Sequence, residues 1–111
     1  MKLGFIGTGN ISSDVIVGIC KSKISFKKIT ISPRNKKKAQ NLKKKFKKVY
    51  IAKNNQEVID KSDWIFLGIL PKVAEKILPK LNFKNNQTIV SFISTIKYGQ
   101  LRKIIKKKVK I

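Results

Sequence analysis

The sequence predicts an α/β protein built as a doubly wound parallel sheet in three layers. Three observations predict it. Short apolar, β-branched runs alternate along the chain with stretches of helical period. The series starts on a strand and runs βαβαβαβαβα, and strands that alternate with helices run parallel with the helices packed on both faces. Finally, 111 residues, 41% of them apolar, suffice for one domain with a buried core.

Each element has its own signal. Lys2–Ile6 is apolar and strand-like and ends in Gly7. Asn10–Lys21 repeats Ile11, Val15 and Ile19, with Ile16 and Cys20, at helical spacing. Lys28–Ser32 is β-branched and stops at Pro33. Asn35 is a helix cap, and Lys36–Phe46 sets Ala39, Leu42 and Phe46 on one helical face. Val49–Ala52 is a short strand; Asn55 caps a short helix over Gln56–Lys61 with Glu57 in its first turn. Asp63 precedes Trp64–Leu67, a buried-type strand with Trp64 expected in the core or at its edge. Pro71 opens a helix that Val73–Leu81 continues, because proline is tolerated at a helix's first position. Thr88–Phe92 is the fifth strand and Tyr98–Lys107 the last helix, with Leu101, Ile104 and Ile105 as its apolar face. Those three side chains are expected either to cover the sheet edge or to meet a further domain. Val109–Ile111 is expected to begin another strand, so the chain reads as cut short.

Composition excludes several chemistries. The chain has no histidine, one cysteine (Cys20) and five carboxylates. An imidazole base, an internal disulfide and a multi-cysteine metal site are therefore ruled out. Cys20 shares a helix face with Ile16 and reads as a small buried hydrophobe. The longest apolar run, Trp64 to Leu70, is far short of the roughly 20 residues of a membrane helix. The chain is expected to be soluble and cytoplasmic.

The formal net charge is +22, from 27 basic and 5 acidic residues. Of the basic residues 25 are lysine; isoleucine (18) and asparagine (8) are also abundant, and alanine (3) is scarce. All three abundant types have A/T-rich codons, which points to composition rather than selection. The runs Lys36–Lys38, Lys43–Lys45 and Lys106–Lys108 contain no aromatic residue, unlike surfaces that stack bases. A solvated face is the reading preferred over a nucleic-acid interface, and contact with nucleic acid is expected to be non-specific.

Directly after the first strand comes Gly7-Thr8-Gly9-Asn10-Ile11-Ser12, a G-x-G-x-x-S turn. The first glycine permits the tight strand-to-helix turn, the second lets a pyrophosphate approach the backbone, and a small third residue allows close packing of helix on strand. Free N–H groups and the positive end of the helix dipole then hold phosphate. Its context, after a strand and before a helix, makes the chain a Rossmann-like dinucleotide-binding domain over residues 1–111. NAD-binding domains place an acidic residue at the end of the second strand for the ribose 2′-hydroxyl. No carboxylate occurs between Asp14 and Glu57; the strand ends in Ser32-Pro33-Arg34-Asn35. A guanidinium and a hydroxyl suit a 2′-phosphate, so the cofactor is inferred to be NADP.

These residues resemble the N-terminal half of pyrroline-5-carboxylate reductases, within the wider group of F420-dependent NADP oxidoreductase-type domains. The opening from Lys2 to Ile11 is similar to the family's K-I-G-F-I-G-x-G-N-M, and residues 32–35 fall at its 2′-phosphate loop. Asn55 matches a family asparagine beside the cofactor, and Pro71 the proline of its A-V-K-P loop. Residues 62–67 resemble its acidic residue and fourth strand, 89–92 its fifth strand, and Gln100-Leu101 its next helix. The resemblance implies hydride transfer from NADPH to the C=N carbon of a cyclic imine, as in proline biosynthesis. It implies cofactor contacts from Gly7, Thr8, Gly9, Asn10, Ile11, Ser32, Arg34, Asn35, Asn55 and Pro71. Ser94 and Thr95 are the substrate-side candidates; no catalytic residue is nominated. The sequence departs from the family at Leu70, where the family has lysine, and at Ile93-Ser94-Thr95, where it has a small A-A-G turn. The family's C-terminal helical domain, which forms the dimer and completes the site, is missing from these 111 residues. A partner chain or a homodimer is therefore expected. A related NADP oxidoreductase with another substrate, a non-catalytic nucleotide-binding remnant and a basic nucleic-acid binder are the alternatives.

The solvated-face reading makes a direct prediction. Duplex DNA binding, followed by fluorescence anisotropy, is expected at low salt and lost near physiological ionic strength. Binding that persists there would show a selected polyanion surface.

Overall fold

The computed structural model describes residues 1–93, 96–105 and 109–111. Five strands, β1 (Lys2–Ile6), β2 (Lys28–Ile31), β3 (Val49–Ile51), β4 (Trp64–Leu67) and β5 (Thr88–Ser91), alternate with five helices. The helices are α1 (Asn10–Lys21), α2 (Lys36–Lys45), α3 (Asn55–Asp60), α4 (Pro71–Ile77) and α5 (Tyr98–Ile104). All strand pairings are parallel, in the order β3-β2-β1-β4-β5. The order reverses between β1 and β4, so the two neighbours send their chains to opposite faces. A crevice opens there at the carboxyl ends.

Side-chain alternation along the strands sorts the core into two clusters. Leu3, Phe5, Ile29 and Ile31 meet Ile16 of α1 and Ala39 and Leu42 of α2. Ile65, Leu67 and Ile89 meet Val58 and Ile59 of α3, Ala74 of α4 and Leu101 of α5. Phe66 stacks on Phe5 with ring centroids 4.5 Å apart and leans on Phe92 at 5.9 Å, an aromatic row across β1, β4 and the end of β5. Leu101 and Ile105 are buried and Ile104 packs against the same cluster, so the last helix covers the sheet. Cys20 is half-buried against the α1–α2 cluster, and burial pushes its thiol pKa up.

Several boundaries differ from the sequence reading for identifiable reasons. Asn54, not Asn55, caps α3: Asn54 is extended and its Oδ1 accepts from Glu57 N–H at 2.9 Å. Glu57 Oε1 accepts in turn from Lys53 N–H at 2.8 Å, and that bond holds the half-buried carboxyl below its ordinary pKa. Helix α4 stops at Ile77 and tightens into a 3-10 turn over Leu78–Lys80, because Pro79 has no N–H to continue the ladder. Trp64, expected in or beside the core, opens β4 at the amino edge of the sheet and is 40% exposed. Ile11, placed on the apolar stripe of α1, is 60% exposed. The strand expected over residues 109–111 is a single bridge from Lys110 to Thr88, and Lys106–Lys108 lie outside the described residues.

Gly4 sets the distance between β1 and α3. A Cβ there would lie 2.2 Å from Ser62 Oγ and 2.9 Å from Val58 Cγ1. Gly4→Ala is expected to destabilise the fold by about 1–3 kcal/mol, as overpacking does. Urea unfolding checks this; an unchanged midpoint would mean that the α3 contact yields without cost.

Candidate cofactor site

The crevice is lined first by the turn after β1, Gly7, Thr8 and Gly9. Arg34, Asn35 and Lys36 come from the turn after β2. Gly68, Ile69, Leu70 and Val73 come from the end of β4 and the start of α4. The volume is about 710 Å³, within the roughly 300–1,000 Å³ of ligand clefts.

Gly7 has φ +97°, a conformation that side chains disfavour, and a Cβ there would lie 2.2 Å from Gly68 O. Its N–H donates to Ser32 Oγ at 2.9 Å, and Ser32 N–H donates to Phe5 O at 3.0 Å. Ser32 therefore binds the β2 end to the β1 turn. It is 1% exposed, so its hydroxyl braces the glycine turn rather than facing the cleft as the sequence reading expected. The third motif position, Ser12, packs against β4: a Cβ on Gly68 would fall 2.0 Å from Ser12 Oγ.

Gly9 is a different case. A Cβ at Gly9 would meet no atom of the protein within 4 Å, and its φ of −68° is ordinary. Protein packing does not demand glycine here, and its absent side chain leaves the backbone open to close approach by a ligand. Gly9 also caps α1 without a side chain, and no acidic residue sits in the first turn, so the helix presents its N–H groups unneutralised. Thr8 is 3% exposed, and its Oγ1 has no hydrogen-bond partner among the described residues. A buried hydroxyl without a partner beside free N–H groups fits a phosphate oxygen.

At the other end, Asn35 Oδ1 accepts from Lys38 N–H at 3.2 Å and caps α2. The first turn of α2 holds Lys36, Lys37 and Lys38 and no acid, although cations are unfavourable at a helix's positive end. Arg34 and Lys36 are exposed, and no carboxylate is among the cleft-lining residues. The end lined by Ile69, Leu70 and Val73 is apolar, with Leu70 72% exposed.

Of the sequence-predicted residues, Gly7, Thr8, Gly9, Arg34 and Asn35 converge on the cleft. Asn10 adjoins it, with its side chain bonded to Lys38. Ile11 points into the open, Asn55 begins α3 and Pro71 begins α4 at the same carboxyl edge. Ser94 and Thr95 lie outside the described residues. Ile93, a departure from the family pattern, is buried in the α3–α5 cluster. Sequence reasoning missed Lys36, Gly68, Ile69 and Val73. The signal for the last three was the glycine directly after β4, meaningful only once β4 is known to lie beside β1.

Comparisons with known proteins give the same family of fold. The family described as coenzyme F420-dependent NADP oxidoreductase matches residues 2–96. ComE operon protein 4 of Bacillus subtilis (strain 168) is 26% identical over 110 residues, 95% of this chain and 40% of that protein. The structure of 1-pyrroline-5-carboxylate reductase from Streptococcus pyogenes superposes with a TM-score of 0.78 at 31% identity, over 99% of this chain and 39% of that one. Plasmodium falciparum pyrroline carboxylate reductase, a structure with NADP bound, shares the fold with a TM-score of 0.77 at 21% identity, over 95% and 38% of the two chains. The chain thus spans about two fifths of the length of these relatives. No helix among the described residues is long and apolar enough to cross a membrane, and no group of three or more metal-ligating side chains occurs among them.

The Ser32 brace is testable. Ser32→Ala leaves Gly7 N–H without its acceptor and is expected to cost about 1–3 kcal/mol of stability. Thermal or urea unfolding reads the loss; no loss would mean that the turn holds its shape without β2.

Proposed function

The chain belongs to the coenzyme F420-dependent NADP oxidoreductase family, and from that premise we propose that its cleft binds NADP as the cofactor half of an imine reductase of the pyrroline-5-carboxylate type. One observation carries the reading. A helix start that is glycine for no packing reason shares a cleft with Arg34 and Lys36, and no carboxylate lines that cleft.

The residues divide the binding between them. Gly9 and the first turn of α1 receive the pyrophosphate, with Thr8 Oγ1 as a further donor. Arg34 and Lys36 take the 2′-phosphate, where a guanidinium supplies paired hydrogen bonds and an ammonium a point charge. Gly68 keeps the β4 side low, and Ile69, Leu70 and Val73 give the nicotinamide end an apolar wall. When bound, the reduced cofactor supplies a hydride to the carbon of a C=N bond. The protein's part is to orient the cofactor and exclude water, which requires no histidine. Ser94 and Thr95 remain the substrate-side candidates of this reading.

The S. pyogenes relative supports the imine as substrate, and the share of its length covered supports a site completed by a further domain or a second copy. The same reading places the protein in the cytoplasm and in proline formation. A reductase acting on another substrate is the second reading, favoured by Leu70 at the cleft mouth where the family has lysine.

Calorimetric titration with NADP⁺ and NAD⁺ tests the cofactor. Preference for NADP⁺ is expected, with Arg34→Ala losing about tenfold or more in NADP⁺ affinity and little for NAD⁺. No saturable binding of either nucleotide would overturn the reading. Reduction of 1-pyrroline-5-carboxylate, assayed beside other cyclic imines, distinguishes the two substrates.

A further inference from the structure

The two faces of the sheet are covered unequally. Ile65, Leu67 and Ile89 are buried under α3, α4 and α5. On the other face α1 and α2 bury Leu3, Phe5, Ile29 and Ile31 of β1 and β2. The register carries that face on across β4 and β5, from Leu3 to Trp64 to Thr88 and from Phe5 to Phe66 to Val90. There Trp64 is exposed, and Phe66, Thr88, Val90 and Phe92 are only half-buried. Among the described residues these form a largely apolar floor beside α1.

Helix α1 borders that floor with an apolar ridge. Successive residues advance by about 100° around a helix. Ser13, Asp14 and Val17 turn into the groove shared with α2. Ile11, Val15 and Ile19, spaced i, i+4 and i+8, therefore fall on the opposite flank, the side on which Ser12 meets Gly68 at the end of β4. Ile11 is exposed, and Val15 and Ile19 are half-buried. Floor and ridge carry no charge, and Lys110, which bridges to Thr88, stands at their margin. In a chain with 27 basic residues, a contiguous uncharged apolar surface marks a contact with another apolar surface.

We propose that this ridge and floor form the interface of a dimer of the chain. A second copy is the occupant that the surface itself specifies. A ridge beside a floor is self-complementary, because a two-fold rotation lays the ridge of each copy on the floor of the other. The same contact keeps the lysines of α2 apart, since they lie beyond the other flank of α1. An acidic partner would be drawn to α2 instead and has no charge to meet here. The twelve residues of α1 make the ridge roughly 18 Å long at a rise of about 1.5 Å. One helix and two strand spacings make the patch roughly 20 Å wide. That footprint is at the small end for specific interfaces, so the dimer is weak and reversible. The proposal is independent of the NADP reading.

Sedimentation velocity of the full 111-residue chain tests it, beside the emission of Trp64, the chain's single tryptophan. A monomer–dimer equilibrium with a Kd of about 10–100 µM is expected. Raising the salt from low to above physiological strength is expected to tighten it by about threefold or more, because each copy carries a net charge of +22 that salt screens. Trp64 emission is expected to shift to the blue as the dimer forms. Ile11→Lys on the ridge and Thr88→Lys on the floor are each expected to weaken the dimer by about tenfold or more. Gln40→Lys, an added charge on exposed α2, is expected to change it by no more than about twofold. Neither interface position is buried, so the urea midpoints of dilute protein are expected to stay near that of wild type. A chain that stays monomeric at every concentration and salt would overturn the proposal. So would a dimer that both lysine variants still form. A dimer that leaves Trp64 emission unchanged would overturn it as well, and that readout decides even where a variant fails to fold.

Discussion

The left-handed turn at Gly7 is the constraint on which the rest of the cleft depends. With φ at +97°, the chain leaves β1 so close to β4 that no side chain fits between Gly7 and Gly68 O. The buried Ser32 hydroxyl holds the Gly7 N–H from the β2 side. Three strand ends are thereby fixed to one another at a single point. Ser12, packed within reach of Gly68, fixes the first turn of α1 against β4. The helix start that faces the crevice is therefore positioned by close backbone packing and two short, buried serine side chains, as an anion site needs.

The periodicity of the chain made the alternating elements readable, and all five strands and five helices lie close to their expected places. The glycine turn was readable because its motif is local. What could not be read was whatever depends on strands distant in sequence becoming neighbours. Ser32 looks like a ligand-facing hydroxyl on the page, and only the β1–β2 register turns it inward onto Gly7. Ile69 and Val73 become walls only because β4 lies beside β1. Trp64 shows the converse: its strand was correct, but the helices do not cover that amino edge, so a large apolar residue stays exposed. The capping of α3 turned on one backbone angle, with Asn54 extended and Asn55 helical, which two adjacent asparagines do not announce.

The charge is distributed less evenly than composition implies. The ion pairs found among the described residues, Lys61 with Glu57 and Lys84 with Asp60, lie on and beside α3. Helix α2 carries six lysines in ten residues and no acid. Three of them, Lys36, Lys37 and Lys38, open the helix beside the cleft-lining turn, and three, Lys43, Lys44 and Lys45, close it. The last three suit the negative end of the helix dipole, whereas the first three oppose its positive end.

The two ends of the cleft are consequently built on different principles. At β1 and β4, glycines and buried hydroxyls give a rigid seat whose shape exists without a ligand. At α2, only Ala39 and Leu42 are buried within the helix, and its first turn carries Lys36, Lys37 and Lys38 with no acid. An anion at that helix start would be favoured by the helix dipole and by the lysines together. The β1 side thus supplies fixed backbone geometry, and the α2 side supplies charge. Asn10 and Lys38, bonded across the gap between α1 and α2, tie the two sides together.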